Sequence, residues 1–151
     1  MIAKQSVLTN LDFKTLSVFK TGKVRSVYDF GEELLLVASD RVSAFDFILP
    51  DGIPGKGALL TSLSKFWFEK TTSIIGNHLI STDVADFPEA TKPYHQDLAG
   101  RSMYVKKTEL LPIECVVRGY IIGSGWKDYQ QTGEICGIEL PKGLQQAQEL
   151  A

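Results

Sequence analysis

Apolar and polar positions divide the chain into short segments. Val24 to Phe30 follows Gly22 and mixes valine, tyrosine and polar residues, as a half-buried strand does. Phe30-Gly31-Glu32-Glu33 reads as a turn, and Leu34 to Ala38 is a continuous apolar run suited to a buried strand. The two predict a hairpin. Phe45 to Leu49 predicts a third strand, stopped by Pro50. Asp51 to Gly57, DGIPGKG, is too rich in glycine and proline for regular structure. Leu59, Leu60, Leu63, Phe66, Trp67 and Lys70 then recur at helical spacing, with Gly76 as the stop and Phe66 and Trp67 as core residues.

The second half is less regular. His78 to Ser81 predicts a short strand, and the polar stretch Asp83 to Ala99, with Pro88 and Pro93, a long loop with one or two helical turns. Ser102 to Lys107 predicts a strand whose Lys106 and Lys107 point in opposite directions. Ile113 to Ile122 predicts another, interrupted by Arg118 and Gly119. Ser124 suits the N-cap of a helix from Gly125 to Gln131. Cys136 to Leu140 reads as extended and Leu144 to Leu150 as weakly helical. The order β-β-β-α-β-β-β-α predicts an α+β fold built on an antiparallel sheet.

Composition narrows the functional classes. The 151 residues are near the size of one ordinary domain, and 44% are hydrophobic and 23% charged. That excludes a disordered or collagen-like chain. No apolar run approaches the roughly 20 residues of a membrane-spanning helix. Sixteen Lys and Arg against 18 Asp and Glu leave a net charge of −2, which is not the field of a nucleic-acid binder. Cys115 and Cys136 are the only cysteines, His78 and His95 the only histidines, and no zinc-ligand spacing appears among them. The thiols suit small core positions. The start, MIAKQSVLTN, has no apolar signal region, so a reducing cytoplasm is the expected location.

Several constellations could carry chemistry. Thr21-Gly22-Lys23-Val24-Arg25 places a glycine turn beside two cations on one strand face, either a phosphate cradle or a solvated turn. In Ser39-Asp40-Arg41-Val42-Ser43-Ala44-Phe45-Asp46, the carboxylates at 40 and 46 hold Arg41, or Arg41 faces a carboxylate ligand. Lys56, between glycines, is a further phosphate candidate or part of a plain turn. Glu114 and Arg118 stand four apart on an apolar strand, where charges are costly unless paired. Gly123-Ser124-Gly125 then opens a helix. Arg118 and Ser124 either converge on one phosphate or serve as an ion-pair partner and a cap.

Taken in order, GKVRSVYDFG, LLLVASDRVSAFDFILPDGIPGKG, LTSLSKFWFE, GRSMYVKKTELLPIECVVRGYIIGSGWKDYQQTG and CGIELPKGL closely resemble the phosphoribosylaminoimidazole-succinocarboxamide synthase (SAICAR synthetase) family, from about Lys20 onward. ECVVRGYIIGSGW is the most specific stretch. The resemblance implies a two-lobed α+β fold of ATP-grasp or kinase-like arrangement with ATP in the cleft. Residues 1–109 would form the β-rich ATP-binding lobe, a twisted antiparallel sheet with a packed helix. Residues 110–151 would be the hinge and the start of the second lobe.

The implied reaction joins L-aspartate to the carboxylate of carboxyaminoimidazole ribonucleotide, using ATP with magnesium. By resemblance Gly22, Lys23, Val24 and Arg25 lie over the ATP phosphates, Lys106 lines the nucleotide, and Glu109, Leu110 and Leu111 border the adenine. Glu114 is the carboxylate at the cleft, which with Lys106 forms the catalytic pair. Arg118 and Ser124 hold the ribonucleotide phosphate, and Ser43, Ala44 and Asp46 lie on the substrate side. The family continues past residue 151 with an S-T-K segment and a magnesium-binding Asp, neither of which occurs here. The expectation is therefore part of an enzyme, inactive alone, with the remaining half or a second copy as partner. The alternative is a nucleotide- or ribonucleotide-binding module without catalysis. A protein kinase is disfavoured, because G-x-G-x-x-G and H-R-D segments are absent.

Overall fold

The computed structural model describes residues 7–113, 115–117 and 119–149. Two compact units divide between Glu109 and Leu110. In the first, strands β1 (Val18–Thr21), β2 (Arg25–Asp29) and β3 (Glu33–Ala38) precede a two-residue pair, β4 (Ser43–Ala44) and β5 (Phe47–Ile48). Helix α1 (Lys56–Thr71), strand β6 (Leu79–Ser81), short helical turns ending in α2 (His95–Leu98), and strand β7 (Ser102–Lys106) follow. The main sheet is antiparallel with order β1-β2-β3-β7-β6.

Alternation along the strands decides which side of the sheet is dry. Tyr28, Leu35 and Val37 share one face and are fully buried. The segment before the sheet lays Leu11, Phe13 and Leu16 on them, and the helical turns after β6 add Phe87 and Leu98. Phe13 meets Tyr28 and Tyr94 at centroid separations of 5.6 and 4.8 Å. The Tyr28 hydroxyl donates to the Leu11 carbonyl, which keeps its one polar atom satisfied.

The opposite face carries α1, and here the sequence expectation fails. Only Gly57 and Thr61 of that helix are buried. Phe66 and Trp67 are 51% and 59% exposed, so they are not core residues. Gly57 and Thr61 make the helix's closest approach to the sheet, Leu60 lines a small cavity with Leu36 and Met103, and Leu59, Leu63, Phe66 and Trp67 are exposed. Gly76 is not its stop either, since the C-cap is Thr72.

Of the predicted third strand, Phe45 to Leu49, only Phe47–Ile48 is strand, and it pairs with Ser43–Ala44 just ahead of it. Phe45 and Asp46 form the tip of the β4–β5 hairpin, with φ of 48° and 66°. A turn that asks both central residues for positive φ matches the twist of an antiparallel pair. The unpredicted β1 starts before Gly22, whose amide donates to the Arg25 carbonyl at 2.8 Å.

The second unit consists of helix α3 (Gly123–Thr132) and the hairpin β8 (Glu134–Ile135) and β9 (Ile138–Glu139). Cys136 lies in the hairpin turn, and both cysteines are exposed free thiols rather than core residues. Ile122 is the cap of α3, and Ser124 lies inside its first turn without capping. Trp126 stacks on Tyr129 at 5.4 Å. The Tyr129 hydroxyl donates to the Pro141 carbonyl and accepts from the Leu144 amide, tying the following loop to the helix. Among the described residues, 113–122 contain no strand and 144–149 no helix. Glu114 and Arg118 lie outside the described residues. No helix in the described residues is long and apolar enough to cross a membrane.

Candidate functional site: the glycine turn and the Ser43–Ile48 hairpin

The turn between β1 and β2 is narrow because Gly22 has no side chain. A Cβ there would lie 3.3 Å from the Arg25 carbonyl oxygen that its own amide binds. From the other side, Ser39 grips the same turn. Its amide and hydroxyl donate to the Val24 carbonyl at 3.0 and 2.8 Å. Lys23 thus stands at the apex, and its Nζ reaches Asp46 Oδ1 at 2.6 Å. Two segments 23 residues apart in sequence meet there. The side chains are 52% and 90% exposed, so the pair contributes at most about 1 kcal/mol. An arriving anion can take Lys23 from Asp46 at little cost.

Asp40 and Arg41 do not pair as the sequence reading allowed. Asp40 is fully buried and binds Arg101 Nη1 at 3.0 Å. It also accepts from the amides of Gly57 and Leu8, each at 2.9 Å. Burial alone would raise its pKa. The two amides and the Arg101 guanidinium outweigh that and hold the carboxyl below its usual range. The Gly57 amide belongs to the first turn of α1, whose own N-cap Gly55 offers no side chain. Asp40 therefore caps α1 from across the fold. That occupies the helix N-terminus, where Lys56 was a phosphate candidate. Arg41 instead donates from Nε to Ser39 Oγ at 3.1 Å and from Nη2 to the Gly22 carbonyl at 3.2 Å.

Lys106, the last residue of β7, and Lys107, just beyond it, separate as alternation requires. Lys107 Nζ binds Asp29 Oδ2 at 2.9 Å and lies 5.0 Å from the Phe19 ring centroid. The Lys107 hydrogen bond and the Gly31 amide lower the Asp29 pKa. Lys106 is exposed and has no ion pair among the described residues. In register it stands opposite Glu33, whereas Arg25 stands opposite Ala38 at the far end of β3. The structure thus brings Gly22, Lys23, Val24, Ser43, Ala44 and Asp46 into one region, with the exposed Arg25 beside them. Lys106 lies about 17 Å along the strand and on the other sheet face. Glu109, Leu110 and Leu111 are exposed where the units divide, and Ser124 is exposed on α3.

Sequence reasoning missed Arg101 and the clamp made by Ser39 and Arg41. Arg101 is isolated in sequence and carried no signal. A helix starting Gly-Lys-Gly with no capping side chain was a usable hint that its cap lay elsewhere.

The sequence profile of the SAICAR synthetase family matches residues 18–151. The chain belongs to the SAICAR synthetase family. A phosphoribosylaminoimidazole-succinocarboxamide synthase of Desulfosudis oleivorans is 59% identical over 144 residues, covering 95% of this chain and 49% of that protein. That of Syntrophobacter fumaroxidans is 51% identical over 150 residues, 99% of this chain and 50% of the relative. Among solved structures, the SAICAR synthase of Saccharomyces cerevisiae complexed with SAICAR superposes with a TM-score of 0.81 at 39% identity. It covers 95% of this chain and 51% of that one. A type-2 SAICAR synthetase in complex with ADP gives 0.57 at 26%, over 83% of this chain and 47% of that one. The mixed α/β architecture with an antiparallel sheet is therefore that of the SAICAR synthetases. The chain spans about half the length of the curated relatives it matches.

Proposed function

We propose that this chain is the nucleotide-side portion of an ATP-dependent ligase that joins L-aspartate to carboxyaminoimidazole ribonucleotide in purine biosynthesis. The observation that carries the reading is the family match over residues 18–151. SAICAR bound to the Saccharomyces cerevisiae enzyme and ADP bound to the type-2 synthetase support small-molecule substrates of this class.

Chemically, a carboxylate oxygen of the ribonucleotide attacks the γ-phosphorus of ATP, giving an acyl phosphate and releasing ADP. The aspartate amine then attacks the acyl carbon. Phosphate leaves, a proton is lost from nitrogen, and the amide remains. Both steps concentrate negative charge on phosphoryl oxygens. Lys23 and Arg25 are exposed cations at a glycine turn, where Gly22 and Val24 would let the backbone approach a phosphate closely. They fit the ATP phosphates. Asp46, Ser43 and Ala44 fit the substrate side, with Asp46 holding Lys23 until the nucleotide arrives.

By resemblance alone, Glu114 is assigned to the reacting groups with Lys106, which the sheet register keeps apart from the glycine turn, and Glu109, Leu110 and Leu111 to the adenine border. Arg118 and Ser124 are assigned to the ribonucleotide phosphate. These assignments, the two-lobed ATP-grasp or kinase-like arrangement and the division at residue 109 rest on the resemblance. Magnesium would neutralise phosphate charge. The described residues contain no cluster of three or more His, Cys, Asp or Glu side chains suited to it. By resemblance, its aspartate ligand belongs to the part of the relatives that this chain does not cover. The exposed free thiols Cys115 and Cys136 support a reducing cytoplasmic setting.

The exposed cations of the glycine turn support a second reading as well, a nucleotide- or ribonucleotide-binding module without catalysis of its own. One experiment separates the two. SAICAR formation from ATP, aspartate and the ribonucleotide is measured for this chain alone and with the second half of the Desulfosudis oleivorans relative. The ligase reading expects turnover only in the mixture. A folded mixture that binds ATP but makes no amide supports the module.

A further inference from the structure

We infer that Arg41 is a positioning residue that sets the glycine turn carrying Lys23. This rests on the reading of the 22–25 turn as the segment facing phosphate.

Three observations lead there. The Arg41 guanidinium is half-buried and donates through Nη2 to the Gly22 carbonyl at 3.2 Å. Through Nε it donates to Ser39 Oγ at 3.1 Å, and that hydroxyl in turn donates to the Val24 carbonyl. The carbonyls on either side of Lys23 are therefore both held from one side. Arg41 also sits two residues before β4, so one side chain links the turn to the hairpin that bears Asp46. A planar fork does this without a reorienting cost, because its donors keep a fixed spacing. A lysine has the charge but not the fork.

Arg41 has no ion-pair partner among the described residues within 4.0 Å, so its contacts are to backbone and hydroxyl oxygens. Such contacts fix shape rather than balance charge. Arg41 acts through Lys23 and is not itself a group on the nucleotide.

The test uses the 151-residue chain with Arg41→Ala, Arg41→Lys and Lys23→Gln. Hydrogen exchange is read at the Gly22 amide, which closes the turn, and at Leu36 in the centre of β3. MgATP affinity is measured in parallel. Arg41→Ala is expected to speed Gly22 exchange about tenfold, the change that a hydrogen bond from a charged donor carries. Leu36 exchange stays unchanged and MgATP affinity falls by a similar factor. Arg41→Lys recovers less than half of either loss. Should Arg41→Ala not fold, Arg41→Lys is read at the same two amides. Unchanged Gly22 exchange in the folded Arg41 variants overturns the inference, as does full rescue by lysine. If Gly22 is freed while neither Arg41→Ala nor Lys23→Gln alters MgATP binding, the positioning role stands and the nucleotide reading of the turn fails.

Discussion

Replacing Asp40 by asparagine removes a charge but almost no volume. Asp40 Oδ1 accepts from the Gly57 amide at 2.9 Å and Arg101 Nη1 at 3.0 Å, and Oδ2 from the Leu8 amide at 2.9 Å. Asparagine keeps one acceptor oxygen, so its NH2 faces a donor on whichever side it takes. Arg101, whose side chain is 12% exposed, loses its counter-charge. Breaking a buried pair from one side costs about 3–5 kcal/mol. The α1 N-terminus loses its cap in the same step. About 4 kcal/mol is the expected total, against the roughly 5–15 kcal/mol that a domain of this size holds. Urea unfolding followed by far-ultraviolet circular dichroism reads this as a midpoint lowered by about 2 M at unchanged slope. A shift below about 0.5 M would refute the claim that this carboxylate joins the helix, the sheet and the N-terminal segment.

Further expectations follow from the same packing. In Gly57→Ala the new methyl would collide with the Ala38 carbonyl and Arg101, both fixed, so urea unfolding should show a loss of about 2 kcal/mol. Leu35→Ala, at a fully buried site, should cost about 2–5 kcal/mol in the same assay. Trp67→Ala on the outer side of α1 should stay within about 1 kcal/mol. Folded-state pKa values of Asp40 and Asp29 lie below their ordinary values. Their contribution is thus complete above the unfolded carboxylate pKa of about 4 and is lost as pH falls through the folded values. Thermal melts should accordingly lose stability below about pH 4, and Asp40→Asn should remove its share of that acid dependence.

Much of the sheet was legible because alternation is a local signal. Val24 to Phe30 contains β2, and the Leu34 to Ala38 and Ser102 to Lys107 predictions each match their strands, β3 and β7, within one residue. Local patterns say less where tertiary contacts choose. The apolar spacing of α1 predicted the helix but not its burial: the buried residues are Gly57 and Thr61, and Leu59, Leu63, Phe66 and Trp67 stay exposed. Phe45 to Leu49 read as strand because Phe45, unlike Asp46, rarely adopts the left-handed region, yet both residues occupy it at a hairpin tip. Non-glycine residues persist there only when their surroundings hold them, here the β4–β5 pairing that flanks the tip.

For the site, the glycine turn and the Ser43–Asp46 segment were visible as separate clusters. Their meeting through Lys23 and Asp46 was not, because it depends on how β2, β3 and the following loop pack. Asp40 shows the converse. Its sequence neighbours suggested a local pair with Arg41, and the structure gives it Arg101, 61 residues away.

The most direct test of the account is a calorimetric titration of the purified chain with MgATP, repeated for Lys23→Gln. The account predicts binding by the native sequence that weakens about tenfold in the variant, as loss of one charged phosphate contact implies. Equal affinities in the two proteins, or no binding by a chain that still melts cooperatively, would contradict it.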